Sequence, residues 1–150
     1  MTTRLSPHFS LEELTVSAMA ARRGLDNTPT GDALKTLEST ACRMETVRAL
    51  LGNKPIIVLS GYRAPAVNTA VGGSKTSAHR TGHAVDFICP GFGSPYQVAQ
   101  HLAKTLGGFD QIIQEFGRWV HIGFGPGQRG QLLTARKEGG RTRYLAGIHP

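Results

Sequence analysis

A chain of 150 residues, 39% hydrophobic and 18% charged, is long enough to bury a core of its own and too apolar for a disordered acidic tail. Lysine and arginine outnumber aspartate and glutamate 17 to 10, a formal charge of +7, which favours an anionic partner. The 19 glycines and 8 prolines follow no period, and no run approaches the roughly 18 apolar residues of a membrane span, so collagen-like, coiled-coil and membrane-spanning classes are excluded.

Phe9 to Leu14 opens a helix in which Ser10 caps and Glu13, three residues on, completes a capping box. Asn27-Thr28-Pro29-Thr30-Gly31 reads as a turn. Asp32 to Leu51 carries Leu34, Leu37, Ala41, Met44, Val47 and Leu51 at spacings of three and four, the pattern of a helix with one buried face, and Gly52-Asn53 ends it. Pro55 to Leu59 is apolar and β-branched and predicts a buried strand. Ser60 to Thr81 is a polar, glycine-bearing loop with a helical turn at Ala66–Ala70. Ala84 to Ile88 predicts a second strand, Pro95 to Leu106 a helix, and Phe109 to Glu115 and Trp119 to Phe124 two more strands. The expected fold class is α+β, a small antiparallel sheet with helices packed on one side. Cys42 and Cys89 are too few for a disulfide framework and are expected to be small buried thiols.

Three pieces carry chemistry: Ser60-Gly61-Tyr62-Arg63, then Ser77-Ala78-His79-Arg80-Thr81-Gly82-His83-Ala84-Val85-Asp86, then Trp119-Val120-His121. Catalytic zinc takes three protein ligands and keeps a fourth position for water. His79, Asp86 and His121 supply such a set. Two neutral imidazoles and one carboxylate leave about one positive charge on a divalent ion, which keeps it electrophilic. Gly82 would let the backbone turn back between the first two.

These pieces, in this order, resemble the M15 group of zinc peptidases, the D-Ala-D-Ala carboxypeptidases and L-alanyl-D-glutamate endopeptidases that act on peptidoglycan stem peptides. His8 to Leu14, Asp26-Asn27-Thr28-Pro29, Asn68, Gly72-Gly73 and Phe109 to Ile113 resemble its compact phage-associated branch. The resemblance covers about residues 9–124 of one domain spanning 1–150, and leaves 125–150 as a basic extension. It implies a fold like that of the D-Ala-D-Ala peptidases and the hedgehog domain. It also implies one Zn2+ per chain on His79, Asp86 and His121, and hydrolysis of a stem-peptide bond.

A general base must stand near the attacking water. The family often carries an acid three residues before its last histidine; here that position is Arg118, which accepts no proton. Glu115 is the first candidate, with Asp110 and His83 in reserve. Glu115 and His121 are six residues apart, about 20 Å in one extended strand, so a hairpin must fold between them. A three-residue loop Phe116-Gly117-Arg118, with Gly117 or a neighbour at positive φ, sets Glu115 opposite Trp119 and on the face of His121. A two-residue loop would turn Glu115 to the other face. Arg63 is expected to bind a substrate carboxylate or the developing oxyanion, or to form a structural ion pair. Ser77, Tyr62, Trp119 and His83 are candidates for lining the substrate cleft; Ser77 could instead orient the ligand loop, and the two aromatics could belong to the core.

Residues 128–150 hold five cations against Glu138, so over half the excess charge lies there. That segment is expected to hold anionic wall or outer-membrane polymers, or else to be a solvated tail. No signal peptide is visible at the N-terminus, so the expected protein is a monomeric phage or prophage endolysin, made in the cytoplasm and released to the cell wall by a holin-type partner. A non-catalytic metal-bearing wall-binding or virion module is the alternative. A specific nucleic-acid partner is not expected, since no recognition element accompanies the charge.

Overall fold

The computed structural model describes residues 2–150. The chain is α+β. A two-stranded antiparallel sheet pairs β1 (Arg4–Ser6) with β2 (Phe9–Ser10). A larger mixed sheet has the order β3-β4-β6-β5-β7-β8, formed by β3 (Ile57–Ser60), β4 (Ala84–Ile88), β5 (Gln111–Glu115), β6 (Trp119–Gly123), β7 (Gln131–Glu138) and β8 (Arg141–Ala146). The helices are α1 (Leu11–Leu14), α2 (Ala18–Arg23), α3 (Gly31–Leu50), α4 (Pro65–Ala70) and α5 (Pro95–Thr105), with a 3-10 turn at Ala78–Thr81.

The chain forms two compact units. The first comprises residues 1–45 and 58–85. Its N-terminal end follows the sequence closely: the Ser10 hydroxyl accepts from the Glu13 N–H, and the Glu13 carboxylate accepts from the Ser10 N–H. Glu45 fastens the β1–β2 hairpin to α3, because its carboxylate accepts from the Ser6 hydroxyl and the His8 N–H. Burial pushes the Glu45 pKa up, but the bonds from Ser6 and His8 outweigh it and leave the carboxyl below its ordinary value. Leu37, Ala41 and Met44 of α3 are completely buried, as their helical spacing predicts.

The second unit comprises residues 46–57 and 86–150. Helix α5 starts on a second capping box, Ser94 with Gln97, and buries Val98, Ala99 and Leu102. It packs on β5 and β6, where Ile112, Val120 and Ile122 are fully buried. Strand β5 runs antiparallel to β6 on one side and parallel to β7 on the other. The parallel pair arises because residues 124–130 carry the chain from β6 across the start of β5. That crossing spans two strand spacings, about 10 Å, well within reach of seven residues. Asp110 fixes it: both carboxylate oxygens accept from the Arg129 guanidinium, at 2.9 and 3.0 Å.

Three expectations need correction. The Pro55–Leu59 run is not a buried strand: β3 lies at the sheet edge, and Ile57 and Leu59 are 48% and 44% exposed. Cys42 is exposed on α3, although Cys89 is buried, and burial raises its thiol pKa. The basic segment is no loose tail. Gly139 and Gly140, at φ 57° and 77°, make a two-residue turn, and Glu138 pairs with Arg141 across it.

Candidate metal centre

One ligand atom from each of His79, Asp86 and His121 lies within 4.8 Å of the other two. His79 and His121 are buried and Asp86 half-buried. The three come from separate pieces of backbone, so their supports differ.

His79 belongs to the 3-10 turn. Ser77 caps that turn by accepting from the His79 N–H at 3.2 Å, and Gly82 closes it at φ 83°. A side chain at Gly82 would strain that backbone and put a Cβ 2.9 Å from the Ala33 carbonyl oxygen, so glycine is required there twice over. The His79 ring donates from Nδ1 to the Gly61 carbonyl at 2.7 Å. This bond fixes the tautomer and puts the imidazole lone pair on Nε2, the arrangement that a metal-binding histidine needs. The acceptor segment is itself pinned. The Gly61 Cα packs on α1 so closely that a Cβ would stand 2.2 Å from the Leu14 carbonyl oxygen. The Tyr62 N–H donates to that oxygen, and the Arg63 N–H donates to the His79 carbonyl. Asn27 braces the segment by donating to the carbonyls of Thr15 and Tyr62 and accepting from the Ala64 N–H.

Asp86 and His121 meet directly: His121 Nδ1 and Asp86 Oδ1 are 2.9 Å apart. Glu115 Oε1 lies 3.9 Å from the same nitrogen. The side chains of His121, Asp86 and Glu115 are 11%, 14% and 17% exposed, so water screens their charges only partly. Glu115 reaches this position through the hairpin. The loop is Phe116-Gly117-Arg118, with φ of 60° at Phe116 and 68° at Gly117, and Glu115 pairs with Trp119 while Ile113 pairs with His121. Glu115, Trp119 and His121 therefore share a face, as the three-residue loop predicts.

The donor set suits zinc. Ligand atoms around a tetrahedral zinc stand roughly 3.3 Å apart. The 2.9 Å separation of His121 Nδ1 and Asp86 Oδ1 is close to that edge. Arg63 donates from Nη2 to the Ser77 hydroxyl at 3.3 Å, which links the guanidinium to the turn that bears His79.

The remaining candidates fall in different places. Tyr62 is buried. His83 is half-buried, with Nδ1 2.6 Å from the Thr81 hydroxyl. Trp119 is half-buried, and its Nε1 has no hydrogen-bond partner among the described residues. Asp110 lies beyond the start of β5, at the opposite end from Glu115, and is engaged by Arg129. A groove of about 780 Å³ runs beside the hairpin turn, where Arg118, Arg136 and Lys137 lie near Phe116 and Trp119.

The Peptidase M15 family matches residues 7–123. The chain belongs to that family. It is also similar to the zinc D-Ala-D-Ala carboxypeptidase of Streptomyces albus G, at 32% identity over 105 residues, which cover 70% of this chain and 36% of that protein. The matched stretch thus spans about a third of the relative's length. Every candidate named for the metal and for the base falls within the family match; the β7–β8 hairpin lies outside it. Sequence reasoning left two supports unread, Gly61 and Asn27. Their signal was present in the glycine that follows β3 and in the Asn27 turn, but the partners are backbone atoms, which no residue pattern marks.

Proposed function

We propose that the protein is a zinc-dependent peptidase that hydrolyses a peptide bond in the stem peptide of peptidoglycan, with His79, Asp86 and His121 as ligands and Glu115 as general base. The observation that carries this reading is the carboxylate of Glu115, 3.9 Å from the nitrogen of a histidine that also touches Asp86. A binding module would need the cluster but not the additional acid, so the geometry favours the enzyme over the non-catalytic alternative.

Zinc bound at the cluster would polarise the scissile carbonyl and acidify a water molecule. Glu115 accepts the proton of the attacking water and passes it to the leaving amine. Arg63, oriented by Ser77, donates to the substrate carboxylate or to the oxygen on which charge develops. The Gly61 carbonyl keeps the His79 ring in one tautomer and one orientation. Trp119 and Ser77 line the approach to these groups.

The finer role is that of a phage or prophage endolysin acting at the wall after release from the cytoplasm. Its support is the resemblance to the phage-associated branch, together with the cationic β7–β8 hairpin and the groove holding Arg118, Arg136 and Lys137, which suit anionic wall or outer-membrane polymers. Retention on isolated walls should weaken as salt rises past about 0.15 M, where screening shortens to roughly 8 Å. Salt-insensitive retention contradicts the electrostatic part.

The deciding experiment incubates the zinc-loaded protein with defined muropeptides and identifies the fragments by mass spectrometry. Release of D-alanine indicates a carboxypeptidase, and separation of L-alanine from D-glutamate an endopeptidase. Absence of any cleavage, or full cleavage by His121→Ala, overturns the assignment.

A further inference from the structure

The register of the sheet places one more group beside Glu115. Glu115 pairs with Trp119 on β6 and with Ala135 on β7, and Ala135 pairs with Tyr144 on β8. Directly paired residues project to the same face, so Trp119, Glu115, Ala135 and Tyr144 form a row on the face that carries His121. Ala135 is fully buried and offers only a methyl group between Glu115 and Tyr144. Two strand spacings put the Cα atoms of Glu115 and Tyr144 about 10 Å apart, a gap that the two side chains can close over an alanine.

Tyr144 is 56% exposed, a high value for an aromatic residue on a sheet. Its hydroxyl makes no hydrogen bond among the described residues. Partial burial, and then the negative charge of Glu115, raise the phenol pKa above its ordinary value, so the group stays a donor across the neutral range. An exposed phenol next to a carboxylate, with no partner of its own, is equipped to bind a ligand lying against that carboxylate.

We propose that Tyr144 is a substrate-binding residue, whose hydroxyl donates a hydrogen bond to a main-chain carbonyl of the peptide held against Glu115. The inference rests on the peptidase reading and extends it: the β7–β8 hairpin, outside the family match, supplies one wall of the cleft and contributes to the choice of peptide. The partner is an extended peptide, since its carbonyls are the acceptors that a lone phenol can read.

The test uses the full, zinc-loaded chain and a defined stem peptide. Tyr144→Phe removes the hydroxyl and keeps the ring; Tyr144→Ala removes both. Tyr144→Phe should lower kcat/KM about tenfold, chiefly through KM, and leave zinc content and Tm unchanged. In a Glu115→Gln background, where turnover is slowed about 10²–10⁴-fold, the same change should weaken calorimetric binding of the peptide by a similar factor. Wild-type kcat/KM and affinity in Tyr144→Phe, with a loss only in Tyr144→Ala, would show that the ring merely packs and would overturn the inference. If the unaltered protein cleaves no stem peptide, the peptidase reading fails first and the inference falls with it. Cleavage that is indifferent to the hydroxyl sinks the inference alone.

Discussion

The segment from Ser60 to Gly82 and the hairpin from Gln111 to Gly123 position their functional groups by opposite means. The first has little regular structure around His79. It is held by single points: Gly61 against Leu14, Asn27 across Tyr62 and Ala64, Ser77 under the turn, and Gly82 against α3. The second is a ladder in which five consecutive pairs fix the register, and the three-residue loop decides which face Glu115 occupies. A point-held segment should fail at one atom, whereas a ladder should fail only when its count changes.

The contrast can be broken most severely at Gly61. Gly61→Ala drives a Cβ into the Leu14 carbonyl oxygen, where backbone must move on both sides. Loss of several kcal/mol is expected, with loss of zinc binding, because the acceptor for His79 Nδ1 moves too. Chemical denaturation with a zinc assay checks both. Exchanging Gln114 and Glu115 comes next. It keeps the length of the hairpin and puts the carboxylate on the face of β5 opposite to His121, so that hydrolysis falls about 10²–10⁴-fold while bound zinc persists. Zinc content and turnover measured on one sample separate this outcome from unfolding.

Asn27→Ala sharpens the point-held side. It removes one acceptor and two donor contacts at a half-buried position, and about 2–3 kcal/mol of stability should go with them. Thermal unfolding measures it; a change within a few tenths of a kcal/mol would mean that Gly61 alone holds the segment. The smallest effect lies at Glu45. Its folded pKa is lowered, so its contribution is complete above the unfolded value near 4.5 and is lost as pH falls through the folded one. Glu45→Gln should lower Tm slightly at pH 7 and flatten the decline below pH 4.5.

The same contrast explains what the sequence discloses. The ladder was legible: a count of residues between Glu115 and His121, with the period of two, leads to the observed pairing. Helix α3 was legible too, since Leu37, Ala41, Met44 and Val47 repeat at helical spacing and are all buried. The group His79, Asp86 and His121, whose side chains the structure brings together, was readable from residue types and order. Its supports were less so, because the Gly61 and Leu14 carbonyls are backbone atoms present at every position. Helix α2 escaped notice because its Ala-rich run lacks an apolar stripe, although Ser17 caps it and Gly24 ends it at φ 62°. Strands β7 and β8 were hidden by their charges. Arg136, Lys137 and Arg141 mask an alternation whose buried members are as small as Ala135, and Gly139-Gly140 was the turn signal that marked them. Strand β3 misled in the other direction: its apolar run suggested burial, but it occupies a sheet edge.

In the proposed reaction His79, Asp86 and His121 hold zinc while Glu115 moves the proton, and the chemistry depends on that division of labour. Zinc stoichiometry and turnover of a defined stem peptide, measured together for the wild type and Glu115→Gln, test it. One zinc per chain in both proteins, with turnover about 10²–10⁴-fold lower in the variant, is the result predicted. A wild type that binds no zinc, or a variant that turns over at the wild-type rate, would contradict it.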